Sequence, residues 1–191
     1  ARVDVDAMGN DAARAEDAVP DQPRHDALAV AAQAVVLVGF GLGGDENICK
    51  PRDFAWAFDA AREAGLRLTA HAGEWAGPES VRDTLRDLRV ERIGHGVRAI
   101  EDPALVDELA ERGIVLEVCP GSNVALGLYP SFRAHPIHRL RERGVKVTLS
   151  TDDPPFFHTT MEREYAMLAE AFDWDEGVFG TIARTSASSA G

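Results

Sequence analysis

Cysteine is scarce in this sequence: only Cys49 and Cys119 occur, far apart and without a CxxC pair. That excludes a disulfide framework and a thiolate zinc cluster, and it fits a reducing, cytoplasmic setting. Positive charge is also short, with 20 Lys and Arg against 32 Asp and Glu and a net charge of −12. Phosphate-binding surfaces depend on clustered Lys and Arg, so neither a nucleic acid nor an anionic membrane is expected as a partner. No apolar run approaches the roughly 20 residues that cross a bilayer, and the first residues lack the basic, apolar, small-residue order of an export signal. A small molecule remains as the expected partner.

What the sequence does contain is a β/α rhythm. At 191 residues and 45% hydrophobic content it can bury a core and most simply forms one domain. Short apolar runs bounded by turn residues recur at "VVLVGF" (35–40), "LRLTAH" (66–71), "ERIGHG" (91–96), "GIVLEV" (113–118) and "VKVTLS" (145–150), and read as buried strands. Between them lie helical patterns. "PRDFAWAFDAAREAG" opens on proline and closes on Gly65, and "GPESVRDTLRDLRV" sets Val81, Leu85 and Leu88 on one face. "DPALVDELAERG" and "HPIHRLRERG" each end on a glycine suited to a left-handed cap. Such alternation predicts an α/β fold with a parallel sheet and crossover helices, either doubly wound or a (β/α)8 TIM-type barrel.

Polar residues at the strand ends favour the barrel. His71, His95, Cys119 with Ser122 and Asn123, and the pair Asp152 and Asp153 all fall at or just past the C-terminal ends of successive expected strands. In a barrel those ends converge on one mouth. In "LTAHAGEWAGPES" (68–80), Glu74 follows His71 across Gly73. Imidazoles and hard carboxylate oxygens brought together in this way suit Zn2+, with an acid/base group beside it.

The quoted stretches carry a family resemblance. "HAGE" (71–74), "RIGHG" (92–96), "CPGSN" (119–123) and "STDDP" (150–154), in this order and preceded by "GFGLGGDE" (39–46), resemble the adenosine deaminase family of metal-dependent deaminases. The resemblance runs from about residue 35 to about residue 186 and implies the chemistry residue by residue. It makes His71 and Asp152 zinc ligands and Glu74 the proton donor to purine N1. His95 orients and assists the attacking water, the Gly44 backbone N–H binds N3, and Asp153 hydrogen-bonds N7. The implied reaction is hydrolytic deamination of adenosine to inosine and ammonia in purine metabolism. Adenine or another 6-aminopurine derivative is the alternative substrate. Glu74 then has to be protonated with substrate bound, which calls for an enclosed apolar setting to which Trp75 could contribute.

One departure stands out: the family's first strand bears HxH, which supplies two further zinc ligands, and HxH occurs nowhere in this sequence. The expectation is that residues 35–191 form the C-terminal part of the barrel, roughly strands 4 to 8. Residues 1–34, with one candidate strand at "RVDVDA", read as a partial upstream barrel unit or linker. "RTSASSAG" at the other end reads as flexible where a last helix would continue. The chain is thus expected to be the C-terminal part of a longer one and inactive alone. Two other classes stay open: a related metal-dependent amide or ester hydrolase, and a non-catalytic remnant without HxH. The sequence does not set the oligomeric state. His135 and His138 form HxxH without a partnering glutamate, which reads as a surface or capping feature. The glycines of "GFGLGGDE" lack the Lys-Ser/Thr ending of a phosphate loop.

Overall fold

The computed structural model of the chain describes residues 37–188. Its framework is a five-stranded, wholly parallel sheet whose strands lie side by side in chain order. They are β1 (Gly39–Leu42), β2 (Arg67–Ala72), β3 (Arg92–His95), β4 (Val115–Val118) and β5 (Lys146–Leu149). A doubly wound sheet reverses its strand order at a switch point; these strands never reverse, so among the described residues that alternative is excluded. The connections are the helices α1 (Ala55–Glu63), α2 (Pro78–Asp87), α3 (Pro103–Arg112), α4 (Pro120–Ala125) and α5 (Ile137–Glu142). After β5 come α6 (Pro154–Phe157), α7 (Met161–Phe172) and α8 (Glu176–Ser188).

Local chemistry sets the helix ends. α3 starts where the Asp102 carboxylate accepts from the N–H groups of Ala104 and Leu105 and Pro103 takes the first helical position. It stops where Gly113 adopts φ 67°. β-Strand alternation then divides the sheet into two unlike faces. Leu68, Ala70, Ala72, Ile93, Leu116, Val118, Val147 and Leu149 join Phe58, Val81, Leu85, Leu105, Leu109, Ile137 and Leu140 from the helices in one apolar core. The other face carries Thr69, Arg92 and Glu117, which bond one another: Arg92 Nε donates to Glu117 at 2.8 Å and Thr69 Oγ1 donates to it at 2.6 Å. The candidate site residues sit on this polar side and at its C-terminal rim.

Two expectations need correction. The first strand is Gly39–Leu42 and not 35–40, because pairing with Arg67–Ala70 of β2 fixes its place, whereas the apolar run gave only hydrophobicity. Residues 35 and 36, like the segment 1–34 with its candidate strand, lie outside the described residues. The tail is also helical as far as Ser188 instead of loosening at Arg184. Ile182 is buried, Val178 and Phe179 pack on the core, and the hydroxyls of Thr185 and Ser186 donate to carbonyls four residues back, so tertiary packing overrides the weak propensity of serine.

Candidate active site

The stretch "HAGE" closes β2 in a tight turn. Gly73 has φ 69°, and a Cβ there would lie 2.5 Å from Val81 Cγ2, so only glycine fits. The turn is held from outside by Glu46, in the loop after β1. Its carboxylate accepts from the N–H groups of Gly73 (2.7 Å), Glu74 (2.7 Å) and Trp75 (3.2 Å) and from Ser80 Oγ (2.7 Å). Glu74 is thereby turned inward and is only 8% exposed. Burial, with the Asp152 and Glu46 carboxylates adding to it, pushes its pKa from 4.5 up to about 7. Trp75, expected to help enclose Glu74, is 44% exposed; its carbonyl accepts from Arg98 instead.

β3 delivers His95 through a left-handed backbone, φ 59°. The ring is 2% exposed, with Nδ1 3.5 Å from Glu74 Oε1 and Nε2 3.8 Å from Asp152 Oδ2. The latter contact spans the mouth from β3 to the loop after β5. Burial and the neighbouring His71 lower the His95 pKa to about 4, so the ring is neutral at neutral pH. The His71 ring meets it edge-on with centroids 4.9 Å apart. His71 lies over Gly94 so closely that a Cβ there would fall 2.3 Å from His71 Cδ2.

Asp152, also left-handed at φ 60°, accepts from Ser122 Oγ at 2.7 Å. Asp153 is exposed at the start of α6, and Gly44 is exposed in the loop after β1, two residues from Glu46. Of the sequence-predicted residues, Glu74, His95 and Asp152 therefore come together, His71 stands against His95, and Gly44 and Asp153 flank the rim without direct contact to that group. The ligating atoms of His95, Cys119 and Asp152 lie within 4.8 Å of one another, so imidazole, thiol and carboxylate are grouped closely enough that they could hold a metal ion. The expected ligand pair was His71 with Asp152, and Cys119 had been read as no ligand. Burial pushes the Cys119 thiol up, towards its protonated form, and a metal ion would have to reverse that.

Two further residues complete the site. Asn123, fully buried, donates from Nδ2 to Glu74 Oε1 at 3.1 Å and reaches His95 Nδ1 at 3.3 Å. Behind it His135, read from sequence as a surface or capping residue, is 2% exposed and touches Asn123 Oδ1 at 3.2 Å. It does cap, since its Nδ1 accepts from the N–H of Ile137. Glu46 and Asn123 both lie inside motifs that the sequence displays, so their position was visible and their partners were not. A cavity of about 390 Å³ lies elsewhere: Arg67, Arg92, Val115 and Lys146 line it at the opposite ends of the strands.

Comparison with known proteins was consistent with this geometry. A family model described as adenosine deaminase matches residues 13–191. That corrects the expected start near residue 35: the family span takes in nearly the whole chain and is not confined to its C-terminal part. The apolar residues of 13–34 are mostly alanine, which gives little strand or helix-face signal. The adenine deaminases of Rhizobium leguminosarum and Rhizobium etli are 54% and 55% identical over 155 residues, which is 81% of this chain and 48% of each relative. The chain thus spans about half the length of the curated relatives it matches. Among solved structures, an adenine deaminase from Arthrobacter aurescens superposes with a TM-score of 0.79 at 32% identity over 85% of this chain and 50% of its own. An amidohydrolase from Burkholderia ambifaria with bound zinc gives 0.76 at 28% identity, over 89% of this chain and 49% of its own. Among the described residues no helix is long and apolar enough to cross a membrane. With a family match over nearly its full length and the motif residues gathered at one rim of a parallel sheet, the chain belongs to the adenosine deaminase family.

Proposed function

We propose that the protein carrying this chain hydrolyses a 6-aminopurine with the help of Zn2+, and that its substrate is the free base adenine, converted to hypoxanthine and ammonia. The preference for adenine over adenosine, the substrate first expected, rests on the similarity to proteins named adenine deaminases. The observation that carries the reaction type is Glu74, a buried carboxyl with pKa near 7 beside a neutral histidine and a metal-binding carboxylate. A carboxylic acid that still holds its proton at neutral pH is what protonation of a purine ring nitrogen needs.

The donor set fits Zn2+, which accepts imidazole and carboxylate ligands. On this reading His71 and Asp152 hold the ion, and two histidines of an HxH strand complete its shell from the part of the relatives' length that this chain does not span. When bound, the ion supplies a Lewis acid that makes water nucleophilic near neutral pH. Glu74 gives its proton to N1 as water adds at C6, which removes the charge that would otherwise build on the ring. His95 orients the attacking water; one proton of that water passes to the amino group, which leaves C6 as ammonia, and the other, lost as the C6–O bond becomes a carbonyl, restores Glu74. The Gly44 N–H and Asp153 hold N3 and N7 at the rim. The strands β1 to β5 are read as strands 4 to 8 of an eight-stranded barrel, a reading supported by their sequential parallel order and by strand ends that converge on one site.

The test is direct. Full-length, zinc-loaded protein is assayed for ultraviolet loss of adenine and of adenosine, with zinc counted by elemental analysis. A higher kcat/KM for adenine is expected. Turnover of adenosine alone would restore the other substrate. Cleavage of amides or esters without purine turnover, or zinc-free inert protein, would leave the hydrolase or the non-catalytic alternative.

A further inference from the structure

The hydrogen-bond chain behind Glu74 and His95 can be solved for its protons. Its fixed point is the backbone N–H of Ile137 at the start of α5, which can only donate; it donates to His135 Nδ1 at 3.2 Å. That nitrogen must therefore carry a lone pair, so the ring is neutral with its proton on Nε2. His135 Nε2 lies 3.2 Å from Asn123 Oδ1, and a ring N–H needs an oxygen there, which fixes the orientation of the Asn123 amide. The Asn123 NH2 then faces the site and has two hydrogens for two acceptors, Glu74 Oε1 at 3.1 Å and His95 Nδ1 at 3.3 Å. An acceptor at Nδ1 leaves the proton of neutral His95 on Nε2, the nitrogen turned towards Asp152. All three linking side chains, Asn123, His135 and His95, are at most 2% exposed, so water does not offer the chain another arrangement.

We propose that His135 is a positioning residue which, through Asn123, holds His95 in its Nε2–H tautomer and keeps an N–H donor aimed at the acid Glu74. This rests on the deaminase reading for its consequence, but the proton placement stands on the hydrogen bonds alone. It also separates roles at the rim: a ring with its proton on Nε2 and its Nδ1 engaged by Asn123 has no free lone pair for a metal, so His95 serves as a donor and the ligands are sought elsewhere. Glu74 gains a defined geometry from the same amide, because one Asn123 hydrogen holds Oε1 and leaves the other carboxyl oxygen to carry the transferable proton.

The experiment uses full-length, zinc-loaded protein with 15N-labelled histidine. Ring-nitrogen NMR between pH 6 and 9 is expected to show His135 and His95 as neutral Nε2–H tautomers; a proton on Nδ1 of either ring overturns the proposal. Two variants extend the test. His135→Gln keeps one donor for Asn123 and one acceptor for Ile137, and is expected to retain kcat within about 3-fold and the His95 tautomer. His135→Leu supplies neither, and is expected to lose about 10- to 100-fold in kcat, the usual range for a partner behind a site residue, with KM and zinc content little changed and the His95 tautomer no longer single. Equal losses in both variants, or none in His135→Leu, would show that the residue only fills space. Should His135→Leu not fold, the wild-type spectrum and His135→Gln still decide. A wild-type protein that turns over no purine sinks the proposed function, and the tautomers alone then decide this inference.

Discussion

Replacing Glu46 tests whether the acid-bearing turn is held by one carboxylate. In Glu46→Ala the N–H groups of Gly73, Glu74 and Trp75 and the hydroxyl of Ser80 all lose their acceptor. Ser80 can turn to water and Trp75 is exposed, so the cost falls on Gly73 and Glu74, whose residues are buried. Hydrogen bonds to a charged group contribute about 1.5–3 kcal/mol each, which places the loss of the two at about 3–6 kcal/mol. Glu46→Gln separates the two oxygens. Its single carbonyl can serve Glu74 and Trp75, while its NH2 faces Ser80, which can accept, and Gly73, which cannot. One main-chain donor is stranded instead of two, and the expected loss is about 2 kcal/mol. Urea unfolding of metal-free protein reads both values as midpoint shifts at constant slope, without linkage to zinc. If Glu46→Ala lies within about 0.5 kcal/mol of the parent, or if the glutamine costs as much as the alanine, the clamp is not what holds the turn.

Four further outcomes are expected. Glu74→Gln keeps shape but cannot deliver the proton, so kcat should fall by about 10² to 10⁴ with zinc retained; near-normal kcat excludes the role. Because the folded carboxyl titrates near 7 and the free one near 4.5, folded Glu74 holds its proton more tightly, so the metal-free parent should lose up to about 3 kcal/mol relative to metal-free Glu74→Gln as pH rises through that window, while the buried His95 and His135, with lowered pKa values, act in the opposite direction in both proteins. His71→Ala and Asp152→Ala should each remove most bound zinc, and Gly94→Ala should do so in part because the new methyl displaces the His71 ring; full zinc by elemental analysis in all three refutes the ligand pair. Removing the purine N7 acceptor, as in a 7-deaza ligand, should weaken binding in the parent and matter less in Asp153→Ala, a coupling that independent, additive losses in a double-mutant cycle would disprove.

Much of the framework was legible because periodicity is local. β2 to β5 coincide with their apolar runs, and α3 was announced by Asp102, Pro103 and Gly113. β1 was displaced because register with β2 is a pairwise property that one strand's hydrophobicity does not contain. At the site, the motif residues were legible by type and place. Their supports were not: Glu46 bonds residues 27 to 34 positions away, and Asn123 reaches Glu74 across 49. His135 illustrates the limit. Within its own window it is a polar residue before Pro136 at a helix entrance, and it does cap that helix. Only the approach of "CPGSN", which opens α4, gives its second nitrogen a partner.

His95 shows why a strand end is a good place for chemistry and a poor one for prediction by pattern. The register pairs His71 with Gly94 and Ala72 with His95. Strict alternation would therefore put the His95 ring on the apolar, helix-covered face beside Ala72. It lies instead against His71, Glu74 and Asp152, because its backbone leaves the strand in a left-handed conformation. A non-glycine residue pays about 1–3 kcal/mol for that conformation and keeps it only where the surroundings over-determine it. Here they do: Asn123 holds Nδ1, the His71 ring packs edge-on, and Gly96 behind it, also left-handed, carries the chain back under the core. Asp152, three residues past β5 and of the same parity as Thr148, falls on the polar side by alternation; its left-handed backbone and the Ser122 hydroxyl fix the carboxylate there. His95 is the residue that alternation alone would have pointed away from the mouth, and the cost of the backbone step that turns it in is met by the hydrogen bond that gives it its role.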